Sequence, residues 1–531
     1  MAFASTGFLI FLLVGVIVYY LIPKRFQWIW LLILSYYFYL CSGVKTLGLI
    51  ITTTVTTFLG GIILERIEEG RSAYFKAHKN EMAAEEKKLY KNKTKKYKRL
   101  ILVLVLVINF GMLAVIKYYG FAAENINALL SNVFHINVGL KRIDFLLPLG
   151  ISFYTFQSMG YIIDMYQGKY KADRNIFKFA LFVSYFPQIL QGPIGRYNRL
   201  AHQFFERHSF DLVRIQHGLQ LMAWGFFKKM VLADRAALVV TEVFRYVHLY
   251  DGATVLFGVL AYTLQLYADF SGGMDIVIGA SEMFGITLDQ NFRQPFFSNS
   301  ISDFWHRWHI TLGTWMKDYV FYPFSLSKAM NKFGKFTKKI FGTTVGRCLP
   351  ICVANLLIFF IVGVWHGAQW KYIAYGMYNG LLIAASNLFE PLYPKIFKAL
   401  HINPECRAWK LFRILRTFSL VVISFYFDVC ESLYAALYMM RSTVTGFSFS
   451  TFTDGSLLAL GVDKQGMCII FAGCVIWFII SLIKEKGIDV RAALDRKPWF
   501  IRWAVYGALV LSIPVFGKIS ETIGGFMYAQ F

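Results

Sequence analysis

Six stretches of this chain carry no charged residue, and each is long enough to cross a lipid bilayer as a helix. They are residues 1–23, 46–64, 100–116, 252–268, 348–365 and 467–483. A hydrocarbon core about 30 Å thick takes roughly 20 apolar residues at a helical rise of 1.5 Å. Inside it, backbone N–H and C=O groups must be satisfied without water, which a helix does within one segment. Shorter or interrupted apolar stretches lie at 27–43, 145–163, 176–195, 217–233, 370–389, 412–427 and 499–517. They raise the count of membrane-embedded segments to about eleven to thirteen. Several hold Pro, Gly or charge in mid-run, which predicts broken or re-entrant helices.

Composition agrees with that reading. Hydrophobic residues make up 57% of the 531 and charged residues 16%, against roughly 25% charged in soluble proteins. Too little charge remains to cover a soluble core of this size. Disorder, a collagen-like fibre and a disulfide scaffold are excluded. The net charge is +24, from 55 Lys+Arg against 31 Asp+Glu. The basic residues sit between the apolar runs, as in cytoplasmic loops of membrane proteins, so nucleic acid is not implied.

Orientation follows from where that charge lies. Lys24 and Arg25 directly follow the first run, which predicts an extracytoplasmic N-terminus. No basic residue precedes that run and no small-residue cleavage site closes it, so it does not resemble a cleaved signal peptide. Residues 65–99 hold twelve Lys/Arg and six Glu. They predict a solvated helical hairpin or a juxtamembrane segment on the cytoplasmic side. Contact with anionic lipid is the functional reading, and a solvated topology determinant is the favoured one. A second basic stretch at 328–347 is expected on the same side. No internal repeat and no soluble domain is visible, so the expectation is one membrane domain over 1–531 in the cell membrane. The seven cysteines form no CxxC or zinc spacing and read as small apolar residues.

Polar groups inside apolar runs carry the functional signal, because each is costly at membrane depth. His366 ends LIFFIVGVWHGAQW, where Gly363 and Gly367 permit close backbone approach and Trp365 can exclude water. A neutral imidazole accepts a proton and is cheaper to bury than a carboxylate. A histidine merely satisfied by a neighbouring helix is the bland alternative. Residues 301–319, ISDFWHRWHITLGTWMKDY, read as an interfacial helix. There His306 and His309 are i,i+3 neighbours and Asp303 and Arg307 are i,i+4 neighbours. Without HExxH or a nearby Glu, no metal site is expected. An aromatic-belt helix would look similar. In YTLQLYADFSGGMDIVIGA (262–280), Ser271-Gly272-Gly273 is expected to break a helix between Asp269 and Asp275. A structural ion pair there is as well supported as a site. LPLGISFYTFQSMGYIIDMYQG (147–168) ends near Asp164, and FPQILQGPIGRY (186–197) reads as a re-entrant loop.

FWHRWHITLGTWMKDYVF, then VGVWHGAQW after a basic loop and an apolar run, resembles the membrane-bound O-acyltransferase family. LPLGISFYTFQSMGYIIDMY, LQGPIGRY and YADFSGGMDIVIGASEMFGI are similar to upstream blocks of that family, in the same order. The blocks run from about 147 to 380, and the chain looks most like the bacterial branch that includes alginate O-acetylation proteins. The resemblance implies a ring of tilted helices around a central tunnel. It also implies N-terminal spans in 1–140, catalytic blocks in 141–400 and C-terminal spans in 401–531. By resemblance, His366 is the catalytic residue and His309 the second active-site position.

The implied chemistry is acyl transfer from a cytoplasmic thioester, acetyl-CoA or an acyl carrier protein, with no tightly bound cofactor. The acceptor is a hydroxyl of a surface polysaccharide or an extracytoplasmic acyltransferase partner. His366 would act as general base, and His309 or a backbone N–H would donate to the oxyanion. Asp269 would orient the donor or pair with Arg307, and Trp365 would wall the site. Lys335, Lys338 and Lys339 would attract donor phosphates or an acidic carrier. D-alanyl transfer to teichoic acid is the alternative within the family, and a polytopic transporter or a non-catalytic scaffold the alternatives outside it.

Overall fold

The computed structural model describes residues 5–518 and 526, apart from 42, 80, 137–138, 144, 146–147, 149 and 247. The start of the first apolar run, part of the stretch from 145 and most of the last thirteen residues lie outside the described residues. Among the described residues the protein is all-α and multi-pass. Six helices are long and apolar enough to cross a membrane: Leu47–Ala77, Ala84–Asn132, Gly252–Met283, Lys328–His366, Lys464–Glu485 and Trp499–Phe516. Thr6–Leu21 is a shorter apolar helix. The other interrupted stretches form helices too, including Gln27–Leu40, Ile151–Gln167, Ile176–Ser184, Trp370–Phe389 and Arg407–Val429. Leu9, Ile10, Leu13, Ile17, Phe471, Phe478, Trp503 and Leu511 point outward. Such apolar surface suits a lipid environment.

The chain divides into two compact units, Met1–Gly218 with Val277–Asp289, and Leu219–Ile276 with Gln290–Phe531. In the first, Ser5 caps the opening helix by accepting from the Phe8 N–H at 3.2 Å, and Pro23 follows its end. The basic segment 65–99 is the tip of a helical hairpin formed by Leu47–Ala77 and Ala84–Asn132. Tyr74 stacks on Tyr90 at 4.3 Å, and Lys98 pairs with Glu68 at 3.0 Å. Near the apolar part of the same helix, a Cβ on Gly60 would lie 2.8 Å from Val105. Asp164 is held by Lys169 and Tyr170, each at 2.6 Å. Phe186–Gln191 is a short helix, followed by buried residues without regular secondary structure through Gly195.

The second unit departs from the sequence reading at residues 271–273 and 301–319, and it adds a break at Gly342. The Gly252–Met283 helix runs unbroken through Ser271-Gly272-Gly273. These small residues serve close approach: a Cβ on Gly272 would lie 2.8 Å from the Gly225 carbonyl oxygen, and one on Gly225 would lie 2.5 Å from the Gly272 oxygen. Residues 301–319 are not one helix. Ile301–Arg307 stops at Trp308, and a new helix, Ile310–Met316, begins after His309. Lys328–His366 breaks at Gly342, whose φ of 75° is left-handed. Residues 328–341 then fold back on the start of 343–366, where Thr337 Oγ1 donates to the Gly346 carbonyl at 2.8 Å.

Candidate active site

His309 and His366 come from elements far apart in sequence and meet in the second unit. Trp365 lies between them, its ring centroid 5.7 Å from His309 and 5.2 Å from His366. Both imidazoles are buried, with 2% of His309 and 4% of His366 exposed. Tyr375 closes on His366 edge-on at 5.2 Å, and Tyr372 lies roughly parallel to it at 6.3 Å.

Glycine packing places His366. It is the last helical residue before Gly367, and the returning Trp370–Phe389 helix lies directly against 343–366. A Cβ on Gly376 would lie 2.1 Å from the Phe359 carbonyl oxygen, and one on Gly363 would lie 2.4 Å from the Tyr372 oxygen. The two backbones therefore touch where no side chain fits. Gly376→Ala should push the helices apart and cost about 1–3 kcal/mol of stability, with a larger fractional loss of activity because His366 moves with the helix. A thermal melt beside an activity assay checks this; unchanged values in both would show that the helices can slide.

The start of that returning helix is anchored as well. Lys371 Nζ donates to the carbonyls of Asp428 at 3.0 Å and Cys430 at 2.7 Å, and Tyr262 donates to the Asp428 carboxylate at 2.7 Å. Trp305 donates to Asn379 at 3.3 Å, tying the start of the WHRWH stretch (305–309) to the helix after His366.

His309 is placed by an irregular turn. A single antiparallel bridge joins Phe292 to Trp308. The Arg293 N–H donates to Arg307 and the Ile310 N–H to Asn291, each at 3.0 Å. His309 itself takes φ 47° and ψ 52°, a left-handed conformation unfavourable for a branched or bulky residue. Phe270 meets its ring edge-on at 5.0 Å. Asn291 Oδ1 lies 3.3 Å from His309 Nδ1. His309 lies outside the six long apolar helices, and burial, then repulsion from His366, push its imidazole down to about 3. It is therefore neutral at ordinary pH.

The other expected site residues divide. Trp365 does sit at the histidines. Asp269 bonds Lys229 at 2.5 Å, one residue before Phe270. Arg307 is held by Asp303 at 2.9 Å and Glu485 at 2.8 Å. The expected i,i+4 pairing of Asp303 with Arg307 is present, whereas the conjectured Asp269–Arg307 pairing gives way to these partners. His306 is exposed on the first short helix and His309 starts the second, so they do not share the helix face that their spacing suggested. Lys335, Lys338 and Lys339 are exposed on 328–341. Because that segment folds back, Lys338 lies beside Gly346, which leaves it about 30 Å from His366 along the helix axis at 1.5 Å per residue.

The sequence reading missed Asn291, Tyr375, Lys371 and the lysine pair Lys228–Lys229. Lys228 bonds Asp275 at 2.7 Å and Ser271 at 2.9 Å, and Lys229 bonds both Asp269 and Asp234. Two lysines adjoining an apolar run were a visible signal. Asn291, in a turn with no periodicity, was not.

Comparison with known proteins bears on the same region. The model of the MBOAT, membrane-bound O-acyltransferase, family matches residues 171–338 and 341–427. A probable alginate O-acetylase of Pseudomonas syringae pv. tomato is 34% identical over 87% of this chain and 79% of its own. A peptidoglycan O-acetyltransferase of Helicobacter pylori is 29% identical over 100% of this chain and 96% of its own. A teichoic acid D-alanyltransferase of Bacillus subtilis is 30% identical over 52% of this chain and 67% of its own.

Proposed function

The chain belongs to the membrane-bound O-acyltransferase family and is an O-acyltransferase, and on that premise we propose that it O-acetylates a cell-envelope polysaccharide with His366 as general base. The observation that carries the assignment of the base is the buried, aromatic-walled meeting of His366 with His309. The neutral His366 imidazole takes the proton of an acceptor hydroxyl as its oxygen attacks the thioester carbonyl. The tetrahedral adduct collapses, the C–S bond breaks, and the departing sulfur takes the proton from the imidazolium. An ester and a free thiol result, and the histidine is regenerated. No acyl-enzyme is needed. Trp365, Tyr372 and Tyr375 keep water from competing for the acyl group.

The acetyl reading draws on the relatives that align with most or all of the chain, both named for O-acetylation. D-alanyl transfer is the second reading, favoured by a relative that aligns with about half of it. On either reading the donor thioester approaches from the cytoplasmic side, and the acceptor is a glycan or an extracytoplasmic acyltransferase that passes the group on. The N-terminus lies outside. Purified protein given labelled acetyl-CoA or carrier-bound D-alanine separates the two: acetyl transfer is expected, and turnover of D-alanine alone would replace this reading.

Lys335, Lys338 and Lys339 are too far from His366 to touch the reacting atoms, so their role is steering. Changing all three to Gln should raise KM for an anionic donor severalfold at low salt and leave kcat nearly unchanged. The difference should shrink as ionic strength rises. A triple variant whose KM is unaltered at low salt would remove the lysines from donor binding.

A further inference from the structure

The strongest further signal is the hydrogen bonding behind His309. Asn291 Oδ1 receives the Thr311 backbone N–H at 3.0 Å and the Thr311 hydroxyl at 2.9 Å, and it lies 3.3 Å from His309 Nδ1. The backbone N–H can only donate, so the atom facing it must be the amide oxygen rather than the nitrogen. The amide nitrogen is accounted for separately, 3.5 Å from Met274 Sδ. The orientation of Asn291 is therefore fixed, and it presents an acceptor to His309 Nδ1. A neutral imidazole bonded to an acceptor through Nδ1 carries its proton there, and the lone pair falls on Nε2.

We infer that Asn291 is a positioning residue for acyl transfer, holding His309 as the Nδ1–H tautomer so that Nε2 offers substrate a hydrogen-bond acceptor. This rests on the reading of His309 as an active-site residue. It reverses the sequence-based expectation of His309 as an oxyanion donor, because a bare Nε2 has no proton to give. The group it suits is an O–H or N–H of the substrate, either the attacking hydroxyl or an amide of the donor arm. Donors for the developing oxyanion then come from elsewhere in the pocket. The tight turn serves the same end. The left-handed His309 places Thr311 and Nδ1 on one oxygen, and the Ile310 N–H bonds the Asn291 carbonyl at 3.0 Å. Backbone and side chain of Asn291 thus both grip the start of the second short helix.

The test reads the tautomer directly. Full-length protein labelled with ¹⁵N-histidine in lipid is examined by solid-state NMR, with the His309 signals assigned by their loss in His309→Ala. A protonated Nδ1 with a bare Nε2 is expected, and a protonated Nε2 would overturn the inference whatever the activity. Asn291→Leu should shift or mix that pattern and lower kcat by about a hundredfold, the scale of a misplaced reacting group. Asn291→Asp keeps an oxygen acceptor for the same donors and should restore most of the loss and the tautomer. An Asn291→Leu protein that keeps the Nδ1–H pattern, or equal losses in both variants, would also overturn it. If the leucine variant fails to fold, the spectrum of the unmodified protein still decides.

Discussion

His366→Ala is expected to lower acyl transfer by about two to four orders of magnitude, the usual contribution of a positioned general base. Donor KM should change much less, because the ring is proposed to act on the acceptor's proton and not to hold the donor. The residue is buried beside Trp365, Tyr372 and Tyr375, so truncation also opens a small cavity. His366→Gln controls for that: it fills most of the volume and forms hydrogen bonds, yet is not a base of useful strength. The Gln variant should melt close to the unmodified protein and the Ala variant somewhat lower, and both should be nearly inactive. A normally inserted His366→Ala protein that still transfers at full rate would remove the histidine from the chemistry. An active Gln variant beside an inactive Ala variant would instead make position 366 a matter of packing.

How far the sequence revealed this site depends on the kind of signal each residue leaves. His366 was legible because it closes an uncharged run flanked by Gly363 and Gly367; Gly363 does make the backbone contact, with the helix that carries Gly376, whereas Gly367 lies against the Tyr372 ring. The spans were legible for the same reason: length and absence of charge are local properties. His309 was found as a residue but misplaced in context. Its spacing to His306 suggested one helix, and only the long-range bridge from Phe292 to Trp308 forces the chain into a left-handed turn there. Asn291 was illegible because its role depends on Thr311 and His309 arriving from across that bridge. The Ser271-Gly272-Gly273 segment was misread for a related reason. Small residues either break a helix or admit a neighbour, and which occurs is decided by the partner, here Gly225.

The lysine pair shows what such partners are worth, and Lys229→Met is expected to be the most destabilising single change in the second unit. Lys229 Nζ sits between Asp269 at 2.5 Å and Asp234 at 2.9 Å, with side-chain exposures of 4%, 1% and 8% respectively. Removing the ammonium leaves two carboxylates facing each other in a region with almost no water. Breaking a buried pair from one side typically costs about 3–5 kcal/mol, because the remaining charge stays desolvated. Asp269→Asn should cost less, since Lys229 keeps Asp234 and gains a polar amide. If burial of charge is the cause, adding Asp269→Leu and Asp234→Leu to Lys229→Met should recover much of the loss, as apolar replacements of a whole buried network often do. The three changes must then be strongly non-additive. Thermal melts of all the variants in one lipid environment give the comparison, and a Lys229→Met protein that melts like the parent would show that the charges are not held together against water. The effect should reach the histidines as well. Asp269 is followed directly by Phe270, whose ring packs on His309 at 5.0 Å. A shift of the Gly252–Met283 helix therefore moves the wall of the site, so the stability-recovered triple variant should melt well yet turn over slowly unless Phe270 returns to its place.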